Sequence, residues 1–429
     1  MSNLFQAPKG TYDIVPPFST LWLAVKQALA TPAMLSGYGY IETPLFEDTG
    51  LFVRGVGEST DVVSKEMYTF EDKGGRSLTL RPEGTAGVLR AILENRLDRG
   101  ALPAKVWYTG PNFRYEQPQS GRYRQHTQVG VEAIGSADPA LDAEVVWMAI
   151  HAQRNLLGLT QVRLLINSLG CHECRPAYRV LLTNFLDALE LDEATRNRAQ
   201  INPLRVLDDK RPHVQEMLVD APLMPDHLCE ACATHHEKVL SYLDALGVQY
   251  EKAPRLVRGL DYYVRTTFEL IHDGLGAQSA IGGGGRYDGL IETLGGSALP
   301  GVGFGLGVDR TCLAVQAEGI ELPNTNATQV FVIALGESAN TIAVELVGKL
   351  RTAGISTDMS FDSRSIKAAM KGADRCGARF AIIIGDDEVA AATVVLKNLE
   401  SGEQESLPID LCTQTLLKAL PAASQTPKE

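Results

Sequence analysis

The apolar positions along the chain change their spacing several times, and each change marks an element. Residues 21–35 repeat with helical spacing and end at "GYGY". "YIETPLFE", at 40–47, alternates as a strand. Pro44 within it has no N–H to donate, which favours an edge or an interface over a central position. "EMYTFEDKGGRSLTLRPEG" reads as a hairpin turning at Lys73, Gly74 and Gly75. It delivers Glu83 to the mouth of a helix at 85–94. Two more strands follow at 104–115 and 123–134 around a polar loop, then a helix from about 140 to 156.

From about 170 to 252 the pattern turns helical. "AYRVLLTNFLDALE" and "HHEKVLSYLDALG" are amphipathic at helical spacing, with a polar, proline-dotted stretch between them. This predicts a mainly helical insertion, 170–252, inside a sheet domain spanning 1–325. The sheet pattern resumes in "LVRGLDYYVRTTFE". Read as a strand, 260–269 places Leu260, Tyr262, Val264, Thr266 and Phe268 on one face and Asp261, Tyr263, Arg265, Thr267 and Glu269 on the other. Alternation leaves open whether the polar face meets water or floors a pocket. After a linker, "EGIELPNTNAT", comes β-α-β-α-β: "QVFVIAL", a helix near 339–352, "GISTDMS", a helix near 365–376, and "FAIIIG". That spacing predicts a separate α/β domain at 328–429 with a frayed tail, "PAASQTPKE".

Composition narrows the class. At 429 residues, 45% hydrophobic and 21% charged, the chain fits a soluble globular protein of two or three domains. No apolar run approaches the roughly eighteen residues of a membrane span, and the start lacks a basic-then-apolar signal pattern. Seven cysteines, an odd number, fit a reducing compartment better than a disulfide scaffold. Cytoplasmic residence without a membrane is the expectation. A net charge of −12 weighs against broad affinity for nucleic acid, though a local basic patch can still hold a specific one.

Chemistry concentrates in a few segments. In "GRYRQHTQVGVEAIG" one strand face carries Arg122, Arg124, His126, Gln128, Gly130 and Glu132. An amide, a gap and a carboxylate in that order suit a small ligand with an amino group; a solvated face is the alternative. Arg114 and Arg122 flank the loop "FRYEQPQSGRYR", and their guanidinium forks suit phosphate oxygens. "VGFGLGVDR" alternates Val302, Phe304, Leu306 and Val308 with Gly303, Gly305 and Gly307. A strand face with no side chains fits a flat group such as adenine, or close packing. Arg310, at the start of the next helix, is within reach of a phosphate tail. Gly282 to Gly285 allow close backbone approach. Neither GxxxxGK[ST] nor a strand-linked GxGxxG is present, so a P-loop or dinucleotide fingerprint is not indicated.

Together these segments resemble the class II aminoacyl-tRNA synthetases, and among them the histidyl-tRNA synthetase family. "GYGYIETPLFE", "FRYEQPQSGRYRQHTQVGVE" and "GVGFGLGVDR" resemble the three class II motifs. "LVRGLDYYVRTTFE" and "AIGGGGRYDGL" resemble the two histidine-specific segments, and "KGTYDIVPP" and "RPEGT" also fit. The resemblance covers nearly the whole chain. It implies an α+β fold: a catalytic domain with a mainly antiparallel sheet flanked by helices, a helical insertion and a C-terminal α/β anticodon-binding domain. It implies a homodimer, with L-histidine, ATP, Mg²⁺ and the histidine tRNA as substrates and partners.

Residue by residue, the resemblance implies Glu83 and Gln128 at the α-amino group of histidine, and Glu132 and Tyr263 at the imidazole. Thr85 and Asp261 support them. Arg114 falls at the ATP α-phosphate, with Glu116, Arg122 and Arg310 on the rest of the nucleotide beside Gly303, Gly305 and Gly307. Arg258 falls between the histidine carboxylate and the α-phosphate. The catalytic set is then Arg114, Arg258 and Arg310. Gln117 and Gln119 lie in the loop that meets the tRNA acceptor end in relatives. Gln117 stands where relatives often have arginine, which removes one phosphate contact, and Asp309 stands where many class II enzymes have glutamate. In the C-terminal domain Arg364, Lys367, Lys371 and Arg375 form a stripe three and four apart, suited to an RNA backbone or to solvent. Cys171, Cys174, Cys229 and Cys232 form two CxxC pairs, a candidate structural zinc site with free thiols as the alternative. The family's non-catalytic relatives, regulatory subunits of ATP phosphoribosyltransferase, typically lack the C-terminal domain that this chain carries.

Overall fold

The computed structural model describes residues 5–57, 60–209, 211–323, 327–362 and 365–420. Two compact units divide it, 1–322 and 323–429. Among the described residues no helix is long and apolar enough to cross a membrane.

The strands of the first unit are β1 (Gly39–Tyr40), β2 (Phe46–Asp48), β3 (Tyr68–Glu71), β4 (Ser77–Leu80), β5 (Ala104–Phe113), β6 (Gln125–Ile134), β7 (Val162–Ser168), β8 (Glu251–Lys252), β9 (Val264–His272), β10 (Ala280–Arg286) and β11 (Gly301–Gly307). The main sheet runs β1-β5-β6-β11-β10-β9-β7-β8. Its long strands pair antiparallel throughout, and only the short edge strands β1 and β8 pair parallel. The fold is therefore α+β, as expected.

One face of this sheet is greasy. Val129, Val131 and Ala133 of β6, Val302, Phe304 and Leu306 of β11, and Phe268 and Leu270 of β9 all point into one core. Helices Phe18–Leu35, Pro139–His151 and Val308–Ala317 cover it with Val25, Leu29, Val145, Met148 and Val315. At roughly 1.5–3 kcal/mol for each large side chain removed from water, this face anchors the sheet. Alternation then sends the even positions of β6 and the glycines of β11 to the opposite face, where the cavity lies. At the end of β10 the fully buried Arg286 donates through Nε to both Asp142 carboxylate oxygens, at 3.1 and 3.2 Å, and His235 meets Asp142 at 3.2 Å. Removing one partner of such a pair costs about 3–5 kcal/mol, so it locks the sheet to the helix behind it.

Two sequence expectations are corrected. The strand expected at 40–47 is two short strands in different sheets: β1 joins the main sheet, while β2 pairs with β4 in a small sheet β2-β4-β3. The break falls around Pro44, which cannot donate to a ladder. The strand expected at 260–269 begins at Val264, because 259–262 forms bends and turns. Arg265 adopts φ +49° where the register against β10 jumps from Thr267 to Val264, so simple alternation fails at this bulge. Between β7 and β8 the inserted segment is mainly helical and its packing is divided. Its own core runs from Cys174 to Cys232, whereas Val239, Leu240 and Leu243 of its last helix, Glu230–Ala245, belong to the main core.

The second unit holds β12 (Val330–Ala334), β13 (Thr357–Met359), β14 (Phe380–Ile384), β15 (Thr393–Asn398) and β16 (Gln404–Pro408), in the order β13-β12-β14-β15-β16. The first three pair parallel across helices Glu337–Thr352 and Ile366–Cys376, the expected β-α-β-α-β. β15 and β16 add an antiparallel hairpin that the sequence reading left out; its signal is the alternation in "TVVLKN" ahead of a serine–glycine turn. Helix Ile366–Cys376 buries Ala369 and Ala373 and exposes Lys367, Lys371 and Arg375. Arg364 lies outside the described residues.

Candidate active site

A cavity of about 540 Å³ opens on the polar face of the main sheet. β6, β9, β10 and β11 form its floor, and the loop between β5 and β6 supplies Arg114, Glu116 and Arg122. Arg310 enters from the first turn of helix Val308–Ala317, held by Nε to Gly121 O at 2.6 Å and by a terminal nitrogen to Ala280 O at 2.7 Å. Arg114 Nε donates to Pro82 O at 2.8 Å, and Arg122 pairs with Glu116. Burial lowers the pKa of Arg310, and Arg122 and Arg114 lower it further by repulsion. Three cations gathered this closely favour an anion between them. His126 lies in the same wall. Burial and then Arg114 and Arg310 pull its pKa down to about 3, so it stays a neutral hydrogen-bonding group.

Asp309 sets the direction of that helix start. One oxygen accepts from Tyr12 OH and the other from Thr127 N at 2.7 Å. The shorter acid at this position thus still ties the "KGTYDIVPP" segment and β6 to the base of Arg310.

Beside the cavity, the same strand face continues into a buried polar cluster. Glu132 accepts from Thr85 Oγ1 at 2.8 Å, from Tyr108 OH at 3.2 Å and from Tyr287 OH. Burial raises its carboxyl pKa to about 8, against the hydrogen bonds that favour the charge. Glu83 caps helix Thr85–Glu94 by accepting from the N–H groups of Thr85 and Ala86, both at 2.8 Å, and burial raises its pKa too. Gln128 accepts from Asn112 Nδ2 at 2.7 Å. Tyr263 is buried, with the Arg258 guanidinium 6.0 Å from its ring centroid. Arg258 donates to Glu269 Oε1 at 2.6 Å, while its Nε has no partner among the described residues.

Of the residues expected from sequence, Arg114, Glu116, Arg122, Gln128, Arg258, Gly305, Gly307 and Arg310 line the cavity. Glu83, Thr85, Glu132 and Tyr263 form the cluster beside it. Asp261 lies outside the lining, where Asn202 Nδ2 at 3.0 Å and Arg205 at 2.8 Å bind it from the insertion. Gln117 and Gln119 are exposed on the hairpin loop. Two expectations about gaps are corrected. The space beside Gly130 is filled by the Tyr108 ring, and that beside Gly303 by the Glu132 carboxylate, so only Gly305 and Gly307 leave a bare floor. The run Gly282–Gly285 lies in strand β10, where Gly283 clears room for Arg258.

Sequence reading placed His126 on the polar strand face without a role, and missed Tyr108, Tyr287, Asn112 and Glu269 as members of the site. It also missed Arg198, Arg205 and Asp208, with which the insertion lines the same cavity. Tyr108 had a signal, since a bulky residue at the alternating position of β5 faces Gly130 across the ladder. The insertion residues had none, because nothing local marks which loop folds back.

Known proteins carry the same assembly. The sequence model of the histidyl-tRNA synthetase family matches residues 10–311, and that of the anticodon binding domain matches 329–418. The chain belongs to the histidyl-tRNA synthetase family. The histidine--tRNA ligase of Saccharopolyspora erythraea is 59% identical over 418 residues, covering 97% of this chain and 99% of the relative. That of Rhodococcus erythropolis is 60% identical over 409 residues, 95% and 96% of the two chains. The crystal structure of apo S. aureus histidyl-tRNA synthetase aligns with TM-score 0.80 at 38% identity, covering 96% of this chain and 99% of the other. Like the family, this chain is an aminoacyl-tRNA ligase with an anticodon-binding domain.

The glycine that makes room for Arg258 can be tested directly. A Cβ at Gly283 would lie 2.7 Å from Phe268 O and 2.8 Å from an Arg258 terminal nitrogen. Gly283→Ala should therefore lower thermal stability by about 1–3 kcal/mol. A Cβ at Gly305 meets only Gln128, at 3.3 Å, so Gly305→Ala should melt close to the parent. Equal melting shifts for the two in parallel thermal denaturation would contradict this packing.

Proposed function

We propose that the cavity and its buried cluster activate L-histidine with ATP and pass it to the histidine tRNA, with the residue roles that follow. The single observation that carries this reading is the continuity of one strand face, from the arginine-lined cavity through Gln128 to the buried acceptor Glu132. Phosphates suit one end, and an imidazole N–H suits the other.

In the first step an oxygen of the histidine carboxylate attacks the α-phosphorus, the bond to the β-phosphate oxygen breaks, and pyrophosphate leaves. Two anions must meet. Arg114 and Arg258 hold them and offset the charge growing on the phosphoryl oxygens, while Arg122 and Arg310 hold the departing phosphates. Glu83 and Gln128 hold the α-amino group. Glu132 and Tyr263 read the imidazole, so a competitor without ring nitrogens leaves buried groups unpaired. Adenine lies on the bare floor at Gly305 and Gly307. In the second step the 3′-OH of the terminal tRNA adenosine attacks the mixed anhydride and AMP leaves.

Mg²⁺ fits the acids present. Glu116 and Glu269 face the cavity without forming a closed cage, and Mg²⁺ commonly binds through one or two carboxylates plus substrate phosphates. It would supply charge neutralisation on the triphosphate. Zinc on the four cysteines would be structural and stands outside this chemistry. Gln117 and Gln119 meet the acceptor end, and Lys367, Lys371 and Arg375 follow the anticodon stem through backbone charge. Asp261 acts indirectly, by tying the histidine segment to the insertion.

The homodimer also belongs to this reading. Tyr40, Leu45, Phe46 and Phe70 are large exposed apolar side chains around β1 to β3, with Phe46 and Phe70 in edge contact at 6.2 Å. Sedimentation of the full chain should give twice the 46.4 kDa chain mass. A monomer at micromolar concentration would remove the dimer from the proposal.

The decisive measurement is histidine-dependent ATP–pyrophosphate exchange. The parent should exchange, and Arg258→Ala, with unchanged circular dichroism, should lose on the order of 10²-fold or more. No exchange by the parent under varied Mg²⁺ would refute the activity; near-parental exchange by the variant would refute the role of Arg258. A pH series probes Glu132. With its folded pKa raised to about 8, the neutral form prevails below that value and must ionise to accept fully from the imidazole. The KM for histidine should therefore rise as pH falls from 8 toward 6.5, by up to about tenfold per unit. Glu132→Gln should bind more weakly with a flat profile. A flat profile in the parent would count against the assignment.

A further inference from the structure

The insertion is closed at its base by sulfur. Cys171 and Cys174 stand where the chain enters it, and Cys229 and Cys232 where the chain leaves. The four Sγ atoms lie within 4.8 Å of one another, and among the described residues this is the one group of metal-ligating side chains that converges so closely. Cys171 Sγ is 3.7 Å from Cys174 Sγ and 3.9 Å from Cys229 Sγ. These separations are far beyond a disulfide bond of about 2.05 Å. They match the edge of a tetrahedron whose centre lies about 2.3 Å from each sulfur, which is about 3.8 Å.

The surroundings also suit thiolates. Cys229 N donates to Cys174 Sγ at 3.1 Å and Glu173 N donates to Cys171 Sγ at 3.4 Å, so backbone amides stabilise negative sulfur from outside the centre. Cys174 and Cys232 are buried in the small core of the insertion, among Tyr178, Leu182, Val206 and Met224. A module of roughly sixty residues buries too little apolar surface to be robust alone, and metals commonly supply the deficit.

We infer that Cys171, Cys174, Cys229 and Cys232 bind one zinc ion as tetrahedral tetrathiolate, and that this ion clamps the two ends of the insertion beside the histidine segment. The mechanical link is short. Arg175, next to Cys174, donates through Nε to Leu169 O at 3.0 Å and through a terminal nitrogen to Tyr263 O. Gly170 O and Leu169 N pair with Arg265 at 2.8 and 2.7 Å. The clamp therefore sits one residue from the backbone that carries Tyr263 and the bulge of β9. On binding, the ion displaces the thiol protons, and no electron is transferred. The inference rests on none of the histidine or ATP assignments.

The test uses full-length protein purified without chelator. Elemental analysis should give about one zinc per chain, and Cys171→Ser with Cys229→Ser should lose it, while Cys376→Ser keeps it. Cobalt exchanged into the parent should give the visible bands of a tetrahedral thiolate centre, a readout that survives if the double variant fails to fold. Stripping the metal with a mercurial and a chelator should speed protease cleavage within 175–228 by about tenfold and leave the sheet resistant. Four thiols titrating freely with no metal present, a disulfide among them, stoichiometric iron, or zinc retained by the double variant would overturn the site. Unchanged cleavage of the stripped protein would overturn the clamp.

Discussion

A carboxyl group with no water around it must be held by its neighbours, and much of this structure is arranged to hold Glu132. Its partners come from three places: Thr85 from a helix start, Tyr108 from β5 and Tyr287 from just past the end of β10. Each must be delivered to within hydrogen-bond reach, because an unpaired buried carboxyl costs several kcal/mol. That requirement explains the glycines better than ligand access alone does. Gly303 lies opposite Glu132 in the ladder and Gly130 opposite Tyr108; in both places a Cβ would occupy the space of the polar side chain. The sheet alternates large polar groups with absent ones, so that the hydrogen-bonded layer leaves no room for a Cβ at Gly130 or Gly303.

How far this was legible from sequence follows from the range of the forces involved. The greasy face of β6 and β11 could be read, because alternation is local and water-driven. The β-α-β-α-β of the second unit could be read for the same reason, whereas the α+β class of the first came from the family resemblance. Arg310 at the start of a helix and the cluster of arginines followed from short motifs. What escaped depends on contacts between distant segments. Arg265 bulges because β9 must meet both β10 and the entry of the insertion, and no pattern within 260–269 records that. The gaps at Gly130 and Gly303 were visible as gaps, but the occupant of each sits on the neighbouring strand: Tyr108 on β5 and Glu132 on β6. Asp261 looked like a ligand group on a polar face; its partners, Asn202 and Arg205, lie more than fifty positions earlier.

Electrostatics shows a similar split between whole and part. The chain carries net charge −12, yet Arg114, Arg122, Arg258 and Arg310 meet around one cavity. Glu116 offsets Arg122 and Glu269 offsets Arg258, so carboxylates balance part of this cluster. A net negative charge disfavours polyanions over the molecule as a whole, while the arginines placed in the cavity offer local donors to phosphate oxygens, so global charge and local charge serve different purposes. His126 shows the limit of that local charge. Buried, and beside Arg114 and Arg310, it does not gain a proton at ordinary pH, and it contributes polarity without further charge.

The insertion leaves the sheet between β7 and β8 and comes back almost to its point of departure. Cys171 and Cys229 face each other across 3.9 Å at this doorway. A segment whose ends already touch can be lengthened, shortened or exchanged without rerouting any strand, because closing the gap asks only for a short turn. The same geometry gives the segment a lever on the active site, through Arg198, Arg205 and Asp208 at the cavity wall. Among descendants of such a chain, the part most free to vary in length also borders the reacting groups, so size and sequence of one loop can tune the enzyme while the sheet stays constant.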